Sequence, residues 1–412
     1  MWKWENDIHT QSEYKALVLH GTQKERKLLF QEKADFYIIN YEALTPFLAD
    51  LQKKQFKMII ADESARYIQT NTSKRSKSAI DLGLRSDYNL ILSGTLISKK
   101  PLNVWSQFMF LDGGRSFGNN FYRFRGKYFH KLELAYGDKW ILKKEYINYF
   151  NEVIYKSCIK ITREETSLDF PKVTNDVIKV KMSPSLESLY EDVYENIMSE
   201  IETSSGTTKV DTKHIFQKLI RLQQITSGFI SSKDDGDMAL SDTPKLDRLT
   251  EDTQAILEDE ESIIVWCRFR FSIKMISERF KKEKIKFITL SGEDSSKSKN
   301  EKWQKFQNSK TTNVFVGQVE AGGIGIELFK KHNTKEHTQH SYIYERTWEF
   351  DDTKQAKGRS NRIGQLASCR FVDMVMENTI DERIFATQQT DKDLAELILR
   401  NGARNILGRR YK

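Results

Sequence analysis

Short apolar runs, rich in Ile and Val, set the frame of this chain. They fall at residues 16–19, 36–39, 58–61 and 89–92, and again, after a long interval, at 263–267, 287–290, 313–316, 342–344 and 371–375. Each is too short for a helix and ends in a polar or glycine-containing turn, which reads as a buried strand. Helix-like stretches separate them, so the strands are predicted to lie parallel, with crossover helices covering both faces. The grouping predicts two α/β lobes, roughly 1–112 and 245–385. Between them, 113–244 is predicted to be a helical insertion and connection, with helices near 190–202 and 214–224. A basic tail, 386–412, follows the second lobe.

Charge bears on the partner. The 66 Lys and Arg exceed the 58 Asp and Glu by eight. That excess favours a polyanionic partner over an acidic one, although a solvated surface alone also produces it. Cys158, Cys267 and Cys369 are odd in number and far apart, which fits neither a disulfide framework nor a zinc cluster. The charged opening segment is unlike a secretory signal, and no apolar run approaches the roughly 18 residues that span a membrane. The expectation is an intracellular protein, cytoplasmic or nucleoid-associated.

Two constellations carry chemistry. The first is Asp62-Glu63, directly after the run Met58-Ile59-Ile60-Ala61. In open parallel sheets ligands sit at the carboxyl ends of strands. Adjacent acids there suit a magnesium nucleotide, Asp62 holding the metal shell through water and Glu63 orienting the attacking water. Alone, an Asp-Glu pair after an apolar run is commonly just a turn. The second is Gln355-Ala356-Lys357-Gly358-Arg359-Ser360-Asn361-Arg362-Ile363-Gly364-Gln365. On a helix Gln355, Arg359 and Arg362 would share one face. Paired guanidiniums suit the charge on a transferred phosphoryl group, while a basic surface helix is the plainer alternative.

Context adds to both. Ser93-Gly94-Thr95 ends the strand after Asp62-Glu63, and Pro101-Leu102-Asn103-Val104-Trp105-Ser106-Gln107 follows. Ala321-Gly322-Gly323-Ile324-Gly325-Ile326 follows the run at 313–316. With these the chain resembles the superfamily two helicases and, within them, the Swi/Snf-related ATPases. Asp62-Glu63 resembles motif II and Ser93-Gly94-Thr95 motif III, the coupling motif. Ile263–Phe269 resembles motif IV, and Gly323 and Gly325 fall in a motif V of the Ala-Gly-Gly-X-Gly type. Gln355 to Gln365 matches motif VI at every specified position. Trp348 also matches, and Trp2 and Glu5 resemble the family's segment after motif Ia. Ala65 replaces a histidine, Gln318 a Ser or Thr, Glu327 an Asn, and Glu349-Phe350 an Asn-Pro.

The resemblance implies two RecA-like lobes, the first truncated at its N-terminus, with ATP and Mg2+ as cofactors and DNA as partner. It implies catalytic roles for Asp62, Glu63, Arg359 and Arg362, and nucleotide contacts by Gly323, Gly325 and Gln355. In the basic tail, Arg404, Arg409 and Arg410 are the candidate nucleic-acid contacts, beside the plainer reading of a solvated terminus.

A motor of this type also needs a Gly-X-X-X-X-Gly-Lys-Ser/Thr loop to hold the phosphates. The only Gly-Lys is Gly126-Lys127, and Tyr128 follows it; Gly21-Thr22-Gln23-Lys24 has the composition without the order. The loop is therefore expected from elsewhere, including a separate chain. The expected function is an ATP-dependent DNA helicase or translocase; the alternative is a non-hydrolysing nucleic-acid-binding scaffold derived from one, or half of a split helicase. Most of the aromatics of 121–131 are read as core rather than base-stacking surface. His332, His337 and His340 are read as a polar loop rather than metal ligands, since no matching ligand pattern accompanies them.

Overall fold

The computed structural model describes residues 1–412 except 95–100, 135–136, 163–164, 167–169, 206–211, 233–235, 320–326, 349, 363 and 390–412. The chain forms two compact units, Met1–Glu165 and Thr166–Lys412.

The first unit holds two parallel strand pairs. β1 (Ala16–Val18) pairs with β2 (Phe36–Ile38), and β3 (Met58–Ala61) with β4 (Tyr88–Ile91). One side of these strands packs on the helices Gln23–Gln31, Tyr41–Leu51 and Lys74–Gly83. Phe30, Phe47, Leu51, Ala61 and Leu82 are buried there, with Leu17, Ile59 and Ile91 against them. The other side of β3 and β4 is bare. Met58 pairs with Tyr88 and Ile60 with Leu90, and all four side chains are 40–59% exposed. Parallel strands are ordinarily covered on both faces, and none of the described residues covers this apolar one.

A second cluster completes the unit. The helices Val104–Asp112, Phe121–Tyr128 and Ile147–Lys156 pack with the antiparallel hairpin β5 (Phe129–Leu134) and β6 (Gly137–Leu142). Phe108, Phe117, Phe124, Tyr128, Phe129 and Phe150 are buried together. The aromatics of the 121–131 stretch divide by helical spacing: Phe124 and Tyr128 face inward at i and i+4, while Tyr122 faces solvent.

The second unit is built on one six-stranded parallel sheet. Its strands are β7 (Val173–Val180), β10 (Ser262–Cys267), β11 (Phe287–Leu290), β12 (Val314–Gln318), β13 (Thr338–Ile343) and β14 (Ser368–Met376), in the order β11-β12-β10-β13-β14-β7. Every residue of β10 is buried, as a central strand with helices on both sides requires. Trp266, Phe306, Phe315, Leu328 and Ile343 form the core on one face. The remaining hairpin, β8 (Phe229–Ser232) with β9 (Gly236–Ala239), precedes the sheet's central strand in sequence. The stretch 113–244, read as helical from sequence, does supply the helices Pro184–Ser205 and Thr212–Thr226. It also supplies β7, whose run of Thr174, Asn175 and Asp176 suits an edge strand that is mostly exposed.

Candidate functional site

β3 delivers Asp62 and Glu63 at its carboxyl end, where the next residues begin the single-turn helix Ser64–Tyr67. Glu63 occupies the left-handed region, φ 50 and ψ 40, a conformation that costs a non-glycine residue on the order of 1 kcal/mol or more. The Asp62 carboxylate is exposed but held. Oδ1 accepts the Glu63 N–H at 2.9 Å, and Oδ2 accepts the indole Nε1–H of Trp4 at 2.9 Å. The Tyr41 hydroxyl donates to the Asp62 carbonyl at 2.8 Å. Tyr41 is itself stacked on Tyr67, with centroids 4.4 Å apart and planes at 16°. Burial, with the nearby Asp62 charge, pushes the Tyr41 hydroxyl well above its usual range, so it stays a donor.

The strand end is tied to its neighbour. Ser64 N–H donates to the Leu92 carbonyl at 3.0 Å, joining Asp62-Glu63 to the residue before Ser93-Gly94. The buried Ser64 hydroxyl donates to Gln107 Oε1 at 2.9 Å. Ala65, standing where the family has histidine, is buried. The polar link on this side therefore runs through Ser64 and Gln107. Thr95 lies outside the described residues.

In the second unit the helix Phe350–Ser360 carries Gln355 and Arg359 one turn apart, with Arg359 4% exposed. The helix closes at Ser360, so Arg362 sits beyond it in a turn, where its carbonyl accepts the Gln365 N–H at 3.1 Å. The helix end at Ser360 breaks the shared helical face that the spacing predicts, and Gly364, at φ +89, shapes the turn that follows Arg362. Arg362 Nε is buried and has no hydrogen-bond partner among the described residues. The Arg359 carbonyl accepts the Leu328 N–H at 2.9 Å, joining this helix to the segment after 320–326. Gly323 and Gly325 lie outside the described residues, as do Arg404, Arg409 and Arg410.

A buried polar lattice fixes the helix. Arg346 holds Asp373 through two bonds of 2.8 Å, and Lys357 reaches the same carboxylate at 3.2 Å and Asn175 Oδ1 at 3.2 Å. Burial lowers the Lys357 ammonium from its ordinary pKa. Trp348 Nε1 donates to Gln223 Oε1 at 3.0 Å, and the Arg268 guanidinium bonds that same oxygen. Gln318 joins three strand ends: its Oε1 accepts the Gly292 N–H at 3.0 Å, and its Nε2 donates to the Arg268 carbonyl at 3.3 Å. A shorter Ser or Thr would not span both.

The loop at Gly21-Thr22 is closed. Thr22 Oγ1 accepts the Glu25 N–H at 3.3 Å, and Glu25 Oε2 accepts the Thr22 N–H at 2.6 Å, a complete capping box. That carboxylate occupies the helix N-terminus, where a phosphate would otherwise bind. The histidines have separate partners: His332 with the Asn308 carbonyl, His337 with Thr334, and His340 with Glu261. Among the described residues, no group of three His, Cys, Asp or Glu could hold a metal, and no helix is long and apolar enough to cross a membrane.

Sequence reasoning pointed to Asp62 and Glu63 but passed over Trp4, Tyr41 and Ser64, which hold them. Trp4, two residues from the Trp2 that was noted, was the available signal. Nothing in the local pattern marks Tyr41.

The chain is similar to an "Uncharacterized ATP-dependent helicase" of Mycoplasma pneumoniae, 24% identical over 392 residues, covering 93% of this chain and 35% of that protein. It is also similar to the "Nuclear protein STH1/NPS1" of Saccharomyces cerevisiae, 21% identical, covering 95% of this chain and 29% of that one. The chain thus spans about a third of the length of these relatives. Among solved structures, the Sulfolobus solfataricus SWI2/SNF2 ATPase core in complex with dsDNA matches 99% of this chain and 81% of that one at 21% identity and a TM-score of 0.45. The SNF2-related domain model matches residues 1–228, more than half of the 412. This chain is a member of the SNF2-related family of Swi/Snf-type ATPases.

Proposed function

We propose that the chain is the greater part of an ATP-driven motor that acts on DNA, coupling nucleotide hydrolysis to movement along the duplex or remodelling of it. The observation that carries this reading is the Asp62-Glu63 pair at the end of β3, its carboxylate held by Trp4 and its backbone by Tyr41. A strand-end turn without function needs no such support.

Asp62 fits a magnesium shell. Its two oxygens each accept one N–H, leaving lone pairs for metal-bound water, and the group faces solvent. The bound Mg2+ would neutralise phosphate charge. Glu63 would orient the attacking water and take its proton. Arg359 and Arg362 would meet the charge on the transferred phosphoryl group, and an Arg362 Nε without a partner among the described residues suits that role. Gln355, Gly323 and Gly325 would contact nucleotide, and Ser93, Gly94 and Thr95 would couple the lobes.

In this reading residues 1–112 are part of the first lobe, 113–244 the insertion and connection, 245–385 the second lobe and 386–412 a nucleic-acid-contacting tail. The phosphate loop comes from polypeptide outside these residues. It would cover the bare face of Met58, Ile60, Tyr88 and Leu90, which runs toward Asp62. The site of action is intracellular DNA. The test is DNA-stimulated ATP hydrolysis by the chain together with a loop-bearing fragment. Hydrolysis that Arg362→Ala leaves untouched would refute the assignment.

A further inference from the structure

The cluster formed by the helices Phe121–Tyr128 and Ile147–Lys156 has a second side that the motor does not use. Arg123 and Lys127 stand one turn apart on the exposed face of the first helix. Lys143 joins them from after β6, its Nζ donating to the Lys127 carbonyl at 2.8 Å and the Gly126 carbonyl at 3.4 Å. Lys144 follows it, exposed. Among the described residues, none of these four cations forms an ion pair, and Glu145 and Glu152 are the exposed acids nearby.

Beside them is a ring built for stacking. Tyr149, 38% exposed, lies parallel to the buried Tyr128, with centroids 5.6 Å apart and planes at 10°. Lys127 Nζ is 4.8 Å from the Tyr128 centroid, which puts the cations and the platform on one patch. The ring behind is fixed in the core, so the outer face of Tyr149 is presented rigidly. Gly126 lies between Arg123 and Lys127 in the last turn of the helix. A Cβ at this position would meet nothing within 4 Å, so no packing inside the chain explains it. Lys143 caps the carbonyls of Gly126 and Lys127, which places a third cation beside Arg123 and Lys127.

We infer that this face is a binding surface for single-stranded nucleic acid, with Arg123 and Lys127 on successive phosphates and a base stacked on Tyr149. Duplex DNA keeps its bases paired and stacked, so it can use the cations but not the ring. The surface shares no residue with Asp62-Glu63 or with residues 355–365.

The test is fluorescence anisotropy of the full chain with a labelled oligothymidylate and with a duplex of equal length, across a salt series. Arg123→Glu/Lys127→Glu is expected to weaken single-strand binding at least tenfold and to reduce its log–log salt slope by about 1.4, from roughly 0.7 per phosphate contact. Tyr149→Ala is expected to weaken the single strand about tenfold with little change for the duplex, and Tyr149→Phe to restore it. Lys281→Glu/Lys282→Glu, an equal charge change on the second unit, is the control and is expected to have a smaller effect. Equal losses from the control pair, or equal effects of Tyr149→Ala on both ligands, would overturn the inference. A chain that binds nucleic acid but ignores these variants refutes this surface alone; a chain that binds none refutes the DNA reading with it.

Discussion

The indole Nε1–H of Trp4 donates a 2.9 Å hydrogen bond to Asp62 Oδ2. A residue near the start of the chain therefore sets the direction of the carboxylate at the end of β3. A hydrogen bond to a charged group contributes about 1.5–3 kcal/mol when protected and less when solvated, as here. In a form completed with a phosphate loop, Trp4→Phe should raise the Mg2+ concentration for half-maximal turnover about threefold to tenfold, with the rate at saturating Mg2+ nearly unchanged. Magnesium titrations of initial rate check this. An unchanged midpoint would remove Trp4 from the site.

Glu63→Gln in the same completed form should lower turnover by about 10²–10⁴ while nucleotide affinity stays within a few-fold. The left-handed backbone at Glu63 is set by the turn and not by the side-chain charge, so the fold should tolerate the amide. Single-turnover hydrolysis and equilibrium binding of a labelled nucleotide separate the two effects. Near-normal turnover would remove Glu63 from the reaction.

Arg362→Ala should cut turnover by about 10³ or more, the range of an arginine that acts on a transferred phosphoryl group. Arg359→Lys should cost less turnover, because a lysine keeps the charge while losing the guanidinium's fork. Arg359 is also the more buried of the two, so its variant should show a lower melting temperature. A loss at Arg362 that appears only as weaker ATP binding would reject the finger role.

Lys330 gives a pH-dependent prediction. The residue is 4% exposed, and its ammonium donates to the carbonyls of Phe306 at 3.0 Å, Thr312 at 2.8 Å and Ser309. Burial lowers its pKa from 10.5 to about 8. Between those values the unfolded chain holds a proton that the folded one has released, so unfolding free energy rises with pH across that window. Below about pH 8 both states are protonated and the burial cost is fully expressed. Relative to Lys330→Met, the native protein should therefore gain stability from pH 8 to 10.5, by up to ~3 kcal/mol. Urea unfolding of both proteins at several pH values measures the difference. Parallel curves would mean that Lys330 keeps its proton when folded.

Much of the fold was legible because its central strands carry their burial in their composition. The unbroken run Ile263-Ile264-Val265-Trp266-Cys267 admits little except a strand covered on both faces. β7 was not legible, because at a sheet edge Thr174, Asn175 and Lys179 are exposed and, with Asp176, dilute the apolar signal. Motif VI was readable as residues but not as geometry. The spacing put Arg359 and Arg362 on one helix face, and the end of the helix at Ser360 separates them. At the first site the acids could be found from their place after an apolar run. Their supports could not, because Trp4, Tyr41 and Gln107 lie 58, 21 and 45 positions from Asp62 and meet it or its neighbour only on folding.

The central claim is that these residues hold the motor's hydrolytic groups but not its phosphate cradle. The most direct measurement is ATP hydrolysis, with and without duplex DNA, by the purified 412-residue chain and by the same chain co-expressed with a fragment carrying a phosphate loop. The chain alone is expected to stay at background, since orientation of the phosphates accounts for about 7–11 kcal/mol of barrier lowering in favourable cases. The pair is expected to hydrolyse ATP with DNA stimulation, and to be more soluble as the face of Met58, Ile60, Tyr88 and Leu90 is covered. Robust DNA-dependent hydrolysis by the purified, monomeric chain alone would contradict the claim and place the phosphates in another segment.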